Sequence, residues 1–387
     1  MREFRAFILK YQGWLGVGCA LLALVLPPLL YSANMIDLTR ISLWGKYLSF
    51  VVVAIGVDLI WGYTGILSLC QAMFFCMGAY AMGMYLSFQG KLDINGVPAC
   101  LSYVSSDVHG ATLPWFWEPF RYFPVTVILG IALPALVASV FGFFAFRSRV
   151  KGVYLSIITQ AITLAAVQFF MLNNMRLGGT NGVRLIEVKP LAGLDFYKPS
   201  GILGMYMISV LVVIGVYLVS RHLVNSRLGR VLIAIRDNEN RLRFSGYQPA
   251  YYKMFIFAFA AAIGGIGGML YIPQVQIVTP VDMDAMPSIL IVVWVALGGR
   301  GTLTGAIVGA LSVNLFYSQL TSSAPKTWPF VLGGLALAVV LYFPQGLVGI
   351  FRSLMGMQDE DAFVKHKPPI DKAPDAQVLA PGKEIKA

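Results

Sequence analysis

Charge is scarce in this chain. Of 387 residues only 12% are Asp, Glu, Lys or Arg, while 58% are hydrophobic; a soluble domain is nearer a quarter charged and half apolar, so that class is excluded. Cysteine is scarce too, and four residues with no paired spacing make neither a disulfide framework nor a zinc site. Histidine occurs only at His109, His222 and His366, in loops or the tail, which leaves no histidine-based metal or haem site within the apolar segments. The Gly-x-x-x-x-Gly-Lys-Ser/Thr phosphate loop is missing: the Gly-Lys pairs at Gly45, Gly90 and Gly382 are followed by Tyr, Leu and Glu. What is abundant excludes disorder of the whole chain, since 25 Phe, 18 Tyr and 7 Trp are far too many. The composition describes a polytopic membrane protein that needs no cofactor. Its net charge of +11 calls for no nucleic acid if the basic residues sit in cytoplasmic loops.

A membrane-crossing helix needs about 20 apolar residues. Such runs cover Trp14–Tyr31, Leu43–Trp61, Ile66–Phe88, Phe123–Phe146, Val153–Leu172, Ile202–Ser220, Tyr252–Ile272 and Pro329–Val348. Two shorter segments, Ser288–Leu297 and Thr304–Tyr317, flank Gly298-Gly299-Arg300-Gly301, which brings the expected count to about ten. No strand-like alternation accompanies them, so a transmembrane β-barrel is rejected. The predicted fold is an all-α transmembrane bundle over residues 1–353, followed by a tail at 354–387 too poor in large apolar residues to fold alone.

Alternate loops differ in charge. Arg2, Arg5 and Lys10 precede the first run, Arg147, Arg149 and Lys151 follow the fourth, and Arg221 to Lys253 is the most basic stretch. The opposite loops, Gln89–Tyr122 and Val278–Met286, are mixed or acidic. Both termini are therefore expected in the cytoplasm, provided the two short segments act as a pair. An uncleaved first helix is expected rather than a secretory signal, since so many apolar runs follow it.

Ionisable residues within the runs reduce to Lys46, Asp58 and Arg300. Lys46 lies near the start of its run and is expected to snorkel to the interface. Asp58 lies just before Trp61-Gly62 and either meets cytoplasmic water or serves a solute path. Gly62-Tyr63-Thr64-Gly65 and Gly298-Gly299-Arg300-Gly301 interrupt apolar runs on the same side, as tight turns or as breaks bordering a solute path. Gly264-Gly265-Ile266-Gly267-Gly268 has no strand before it, so it reads as close helix packing and not as a nucleotide fingerprint; Gly301, Gly305 and Gly309 read likewise.

The basic loop at 221–253 has more order than charge alone requires. Ser226-Arg227-Leu228-Gly229-Arg230 leads into Leu232, Ile233 and Ile235 alternating with Arg236, Asp237 and Glu239, then Gly246-Tyr247 and Lys253. A short amphipathic helix ending near Gly246 is predicted, and an exposed helix with an apolar face fits a partner groove.

Residues Arg227 to Lys253 resemble the cytoplasmic loop of ABC importer permeases of the branched-chain amino acid family, LivM type. Trp61-Gly62-Tyr63-Thr64-Gly65-Ile66-Leu67-Ser68-Leu69-Cys70-Gln71-Ala72-Met73-Phe74-Phe75, Gly78-Ala79-Tyr80, Lys151-Gly152-Val153-Tyr154-Leu155, Gly178-Gly179-Thr180-Asn181-Gly182 and Leu297-Gly298-Gly299-Arg300-Gly301-Thr302-Leu303 are similar to further blocks of that family, in its order. Leu113-Pro114-Trp115-Phe116-Trp117 and Asp58-Leu59-Ile60-Trp61 resemble its urea-transporting branch. Cys70 and Arg300 depart from the common pattern of Gly and an apolar residue.

The resemblance implies a permease subunit of the bacterial inner membrane, not an enzyme. It implies pairing with a second permease subunit, two cytoplasmic ATPases and a periplasmic binding protein. On this reading Val231–Arg243 is the coupling helix, and Arg227, Arg230, Arg236, Asp237, Glu239, Gly246 and Lys253 belong to the coupling loop. The candidate solute path takes Asp58, Ser68, Gln71, Thr180, Asn181, Gly299 and Arg300, with Gln160, Thr163 and Gln168 as further neutral polar positions. Neutral donors and acceptors suit urea, a small uncharged amide, with branched-chain amino acids as the alternative cargo and a stand-alone channel or secondary carrier as the alternative class.

Overall fold

A computed structural model describes residues 23–33, 36–90, 113–148, 152–173, 176–186 and 198–323, with isolated positions between these ranges and at 330–349. The helices are α1 (Ala23–Ser32), α2 (Leu38–Thr64), α3 (Gln71–Phe88), α4 (Phe123–Arg147), α5 (Val153–Met171), α6 (Pro199–Asn225), α7 (Arg227–Phe244), α8 (Pro249–Val275), α9 (Ala285–Gly298) and α10 (Leu303–Ser323). Six of them, α2, α4, α5, α6, α8 and α10, are long and apolar enough to cross a membrane. The all-α membrane bundle is thus observed. Most of the expected run Pro329–Val348, the start of Trp14–Tyr31, most of Gln89–Tyr122 and the tail lie outside the described residues.

Two of the sequence boundaries need correction. The run Ile66–Phe88 becomes helical only at Gln71, because residues 65–70 are not helical. The second "short" segment is a full 21-residue helix, α10, and only α9, with 14 residues, is short.

The bundle is organised around α2, α3 and α8, which are buried along most of their lengths, while α4, α5 and α6 present much of their surface outward. Glycine makes that hub dense. A Cβ on Gly268 of α8 would collide with the Phe75 carbonyl of α3, and one on Gly78 of α3 with the Gly265 carbonyl. Backbones therefore touch directly, as in small-residue membrane interfaces. Phe74 and Phe75 of α3 then pack edge-on against Phe257 and Tyr271 of α8. The Cys70 departure leaves α3 closely packed, since that contact runs through Gly78.

The two ends of the bundle are distinct. At one end Ser42 Oγ donates to the Gln274 carbonyl at 3.0 Å, joining the start of α2 to the end of α8. The antiparallel pair β1 (Val183–Arg184) and β2 (Ile277–Val278) and the 3-10 turn Pro280–Met283 cap that end. At the other end α2 stops, and α7 lies across it.

A candidate coupling junction at the end of α2

α7 forms where the sequence predicts it, with a different start. Ser226 caps it, its Oγ accepting from the Leu228 amide at 3.2 Å. A Cβ on Gly229 would strike the Val224 carbonyl, so the corner between α6 and α7 closes tightly. Leu232 and Ile235 are buried while Arg227, Arg230, Asp237 and Arg241 are exposed, which is the predicted amphipathic division. The expected single helix Val231–Arg243 is broken: Asn238 leaves helical geometry at φ −158° and ψ 91°, and its side-chain oxygen accepts from the Arg241 amide at 3.0 Å. Asn238 thus caps a second short helical piece. Gly246, at φ 85°, follows its end and donates to the Arg243 carbonyl at 3.0 Å.

The charged residues assigned to this loop divide in two. Arg236, exposed on its outer side, reaches back to the bundle: its Nη1 donates to the Gly62 carbonyl at 2.9 Å while its Nε donates to Asp237 Oδ1 at 3.3 Å. Glu239 is held within the chain, accepting from Arg243 at 2.6 Å and from Lys253 at 2.9 Å, so it clasps α7 to the start of α8. Arg227, Arg230 and Asp237 face outward, as does Phe244, whose side of α7 is almost fully exposed.

The Gly62 carbonyl that Arg236 grips belongs to the last turn of α2, whose carbonyls lack helical partners. Gly65 closes that helix in the left-handed region at φ 73°, and its Cα lies against the Arg236 stem. A Cβ on Gly62 would collide with the Gly301 amide and with Asp58. The Gly301 amide donates to Asp58 Oδ1 at 2.6 Å. Asp58 is completely buried, and its Oδ2 has no hydrogen-bond donor among the described residues. The expectation that Asp58 meets water is therefore corrected: it pins the turn between α9 and α10 to α2. Gly299 and Gly301, at φ 117° and 78°, shape that turn, and Gly346 packs its backbone on Gly299. Arg300 is exposed and lies over the Trp61 ring at 5.9 Å, at the rim of the bundle and not inside a helix. Both glycine breaks, Asp58 and Arg236 thus meet in one junction, though the sequence separates them widely.

The chain leaves the junction as an irregular, non-helical segment. Residues 65–70 run alongside α5, which satisfies their backbone through hydroxyl groups. Ser156 Oγ donates to the Leu67 carbonyl at 2.8 Å, Thr159 Oγ1 accepts from the Leu69 amide at 3.0 Å, and Thr163 Oγ1 donates to the Leu69 carbonyl at 3.3 Å. Non-helical backbone inside a bundle requires such partners. Gln71 then starts α3 beside Gly264, in the middle of α8, so the irregular segment climbs from the end of the bundle into its interior. Gln71 is buried with both amide atoms unpartnered among the described residues, and the amide atoms of Gln160 on α5 are likewise buried and unpartnered there. Ser68 Oγ contacts Cys70 Sγ at 3.1 Å.

The residues assigned to a solute path therefore occupy three levels. Asp58, Gly299 and Arg300 lie at the junction, Ser68 and Gln71 inside, and Thr180 and Asn181 at the opposite end. The last two are exposed on the 3-10 turn Gly179–Asn181, seated on Val278 and Thr279 through Gly182. Sequence reasoning missed Ser156 and Thr159, although the spacing Ser156, Thr159, Thr163 marks a single hydroxyl-bearing face of one helix.

The family of branched-chain amino acid transport system permease components matches residues 40–340. The high-affinity branched-chain amino acid transport system permease protein LivM of Escherichia coli K12 is 25% identical over 353 residues, covering 86% of this chain and 74% of that protein. The probable branched-chain amino acid transport permease protein LivM of Methanocaldococcus jannaschii is 26% identical, covering 81% of this chain and 94% of that protein. A ribose import permease protein, RbsC of Escherichia coli K12, is 23% identical over 51% of this chain and 60% of its own length. No solved structure matches the chain. A multi-pass helical bundle, a clasped amphipathic helix across one end and a family match over most of the sequence agree: this chain belongs to the branched-chain amino acid transport system permease family.

Proposed function

We propose that the chain is one of two permease subunits around a solute path, driven by two cytoplasmic ATPases and supplied by a periplasmic binding protein. α7 is the coupling helix. Its outward residues Arg227, Arg230, Asp237 and Phe244 dock on an ATPase, while its Arg236 carries the movement to α2. The observation that supports this most is the linked pair of hydrogen bonds, Arg236 to the Gly62 carbonyl and the Gly301 amide to Asp58. They connect α7, α2 and the α9–α10 turn, so a displaced α7 cannot move without disturbing the helices. Two arrangements of these helices, each favoured by one state of the ATPases, constitute alternating access. In this arrangement α7 and both termini face the cytoplasm.

The proposed cargo is urea. The buried, unpartnered amides of Gln71 and Gln160 offer donors and acceptors without charge, which suits a small neutral amide that must bind weakly and move on. Branched-chain amino acids are the second reading, favoured by the names of the relatives. Uptake of labelled urea and labelled leucine, each measured in cells with and without the partner ATPase, tests both. Urea uptake that disappears with the ATPase is the expected result; leucine uptake alone reverses the cargo, and uptake that persists without the ATPase removes the importer reading.

A further inference from the structure

Lys46 does not snorkel. It lies in the third turn of α2, at the end remote from α7, and its side chain leans along the helix toward Phe50, one turn deeper. The ammonium sits 5.7 Å from the Phe50 ring centre and 5.8 Å from that of Tyr271 on α8. Phe50 also packs on Trp294 of α9, with ring centres 5.1 Å apart, and on Tyr271 at 5.7 Å. Three helices thus present an aromatic surface under one cation. Lys46 forms no ion pair and no hydrogen bond through Nζ among the described residues, and its direct contacts there include two π faces.

The opposite charge is near. Asp282, on the 3-10 turn Pro280–Met283, lies within electrostatic reach of Lys46, Tyr271 and Tyr80. Its Oδ2 is used by the turn itself, accepting from the Thr279 amide at 2.8 Å and the Thr279 hydroxyl at 2.9 Å. Its other oxygen has no such bond among the described residues. Tyr80 of α3 supplies a further observation: it is 2% exposed, and its hydroxyl has no hydrogen-bond partner among the described residues. A buried hydroxyl without a partner is costly, and a charged side chain inside a membrane bundle marks a functional site unless a structural partner accounts for it.

We infer that Lys46, Asp282 and Tyr80 form a solute-binding station above the Phe50–Tyr271–Trp294 surface, at the end of the bundle opposite the coupling helix. The ligand carries an acceptor oxygen and an N–H group a few ångströms apart. Lys46 donates to the oxygen, Asp282 accepts from the N–H, and the rings cover the flat or apolar remainder. Urea meets this description with its carbonyl and amide groups, and an amino acid meets it with its carboxylate and ammonium. The inference rests on the importer reading above and adds where the cargo is first held within the membrane subunit.

The test uses the complete transporter, with partner permease, ATPases and binding protein, in proteoliposomes with labelled urea and labelled leucine as probes. Lys46→Met is expected to lower uptake of the transported solute by about tenfold or more at limiting concentration, the cost of one charged hydrogen bond, while the subunits still copurify. Lys46→Arg, which keeps a donor and a charge, is expected to retain uptake within a few-fold. Asp282→Asn separates the two ligands: its one oxygen stays with the Thr279 cap and its NH2 faces the ligand, so an ammonium loses its counter-charge and meets a donor, while urea can turn its carbonyl to that donor; leucine uptake is expected to fall further than urea uptake. Wild-type uptake parameters in Lys46→Met overturn the station. An equal loss in Lys46→Arg and Lys46→Met, together with loss of copurification, also overturns it, because the lysine is then structural. A wild-type complex that shows no ATP-dependent uptake of either probe removes the importer reading instead, and that outcome is visible before any variant is made.

Discussion

Arg236→Ala is the sharpest perturbation of the coupling junction. The wild-type guanidinium donates to the Gly62 carbonyl at 2.9 Å, and its side chain is about one-third exposed, at 34%. A hydrogen bond to a charged group contributes about 1.5–3 kcal/mol when well buried, and partial exposure brings this toward about 1 kcal/mol. Gly62 is buried, so its carbonyl loses a donor when the arginine is removed, which adds to the cost. Stability should therefore fall by about 1–3 kcal/mol, a part of the several kcal/mol that hold a folded chain. Coupling should suffer far more, because the same bond is the direct polar link between α7 and α2. The assay is the ratio of solute imported to ATP hydrolysed by the reconstituted transporter, with thermal unfolding of the detergent-solubilised complex as control. The expected result is continued hydrolysis, a several-fold lower import ratio and a melting temperature lowered by only a few degrees. A normal import ratio in Arg236→Ala would falsify the junction as the path of force. The double variant Arg236→Glu, Asp237→Arg goes further, and should lose both transport and ATPase copurification while inserting normally.

Other residues give independent checks. Asp58→Asn keeps an oxygen for the Gly301 amide and should melt close to wild type, whereas Asp58→Ala strands that amide and should cost about 1–3 kcal/mol, read as a lower melting temperature. Thr159→Val removes the acceptor for the Leu69 amide, and faster hydrogen exchange at residues 67–70 is the expected signature. Gly268→Leu puts a side chain where the Phe75 carbonyl already lies, so the folded subunit should be lost from the membrane in an expression assay, a far larger effect than Gly333→Leu, where a Cβ meets nothing within 4 Å.

Much of this architecture is legible in the residues, because lipid imposes a simple rule on composition: long apolar runs become helices. The amphipathic nature of α7 is legible for a similar reason, its period being carried by Leu232 and Ile235. The glycines of α8 announce close packing, and the structure gives them partners in α3 and α4. What escapes is the meeting of distant parts. Nothing local says that Asp58 serves a turn more than two hundred residues away, or that Arg236 reaches Gly62, since both bonds depend on how α2, α7 and the α9–α10 loop are stacked. The same blindness hid the non-helical course of residues 65–70. Ile66, Leu67 and Leu69 read as the opening of a helix, and only the hydroxyls of α5 explain why another conformation is stable there. Lys46 was misread because proximity to a helix start suggests an outward reach, while the rings that attract it come from α2, α8 and α9 together.

The stretch held by Ser156, Thr159 and Thr163 has a mechanical consequence. A helix supplies its own backbone partners, whereas residues 65–70 borrow theirs from α5, so the link between α2 and α3 keeps its course only while α5 stays alongside it.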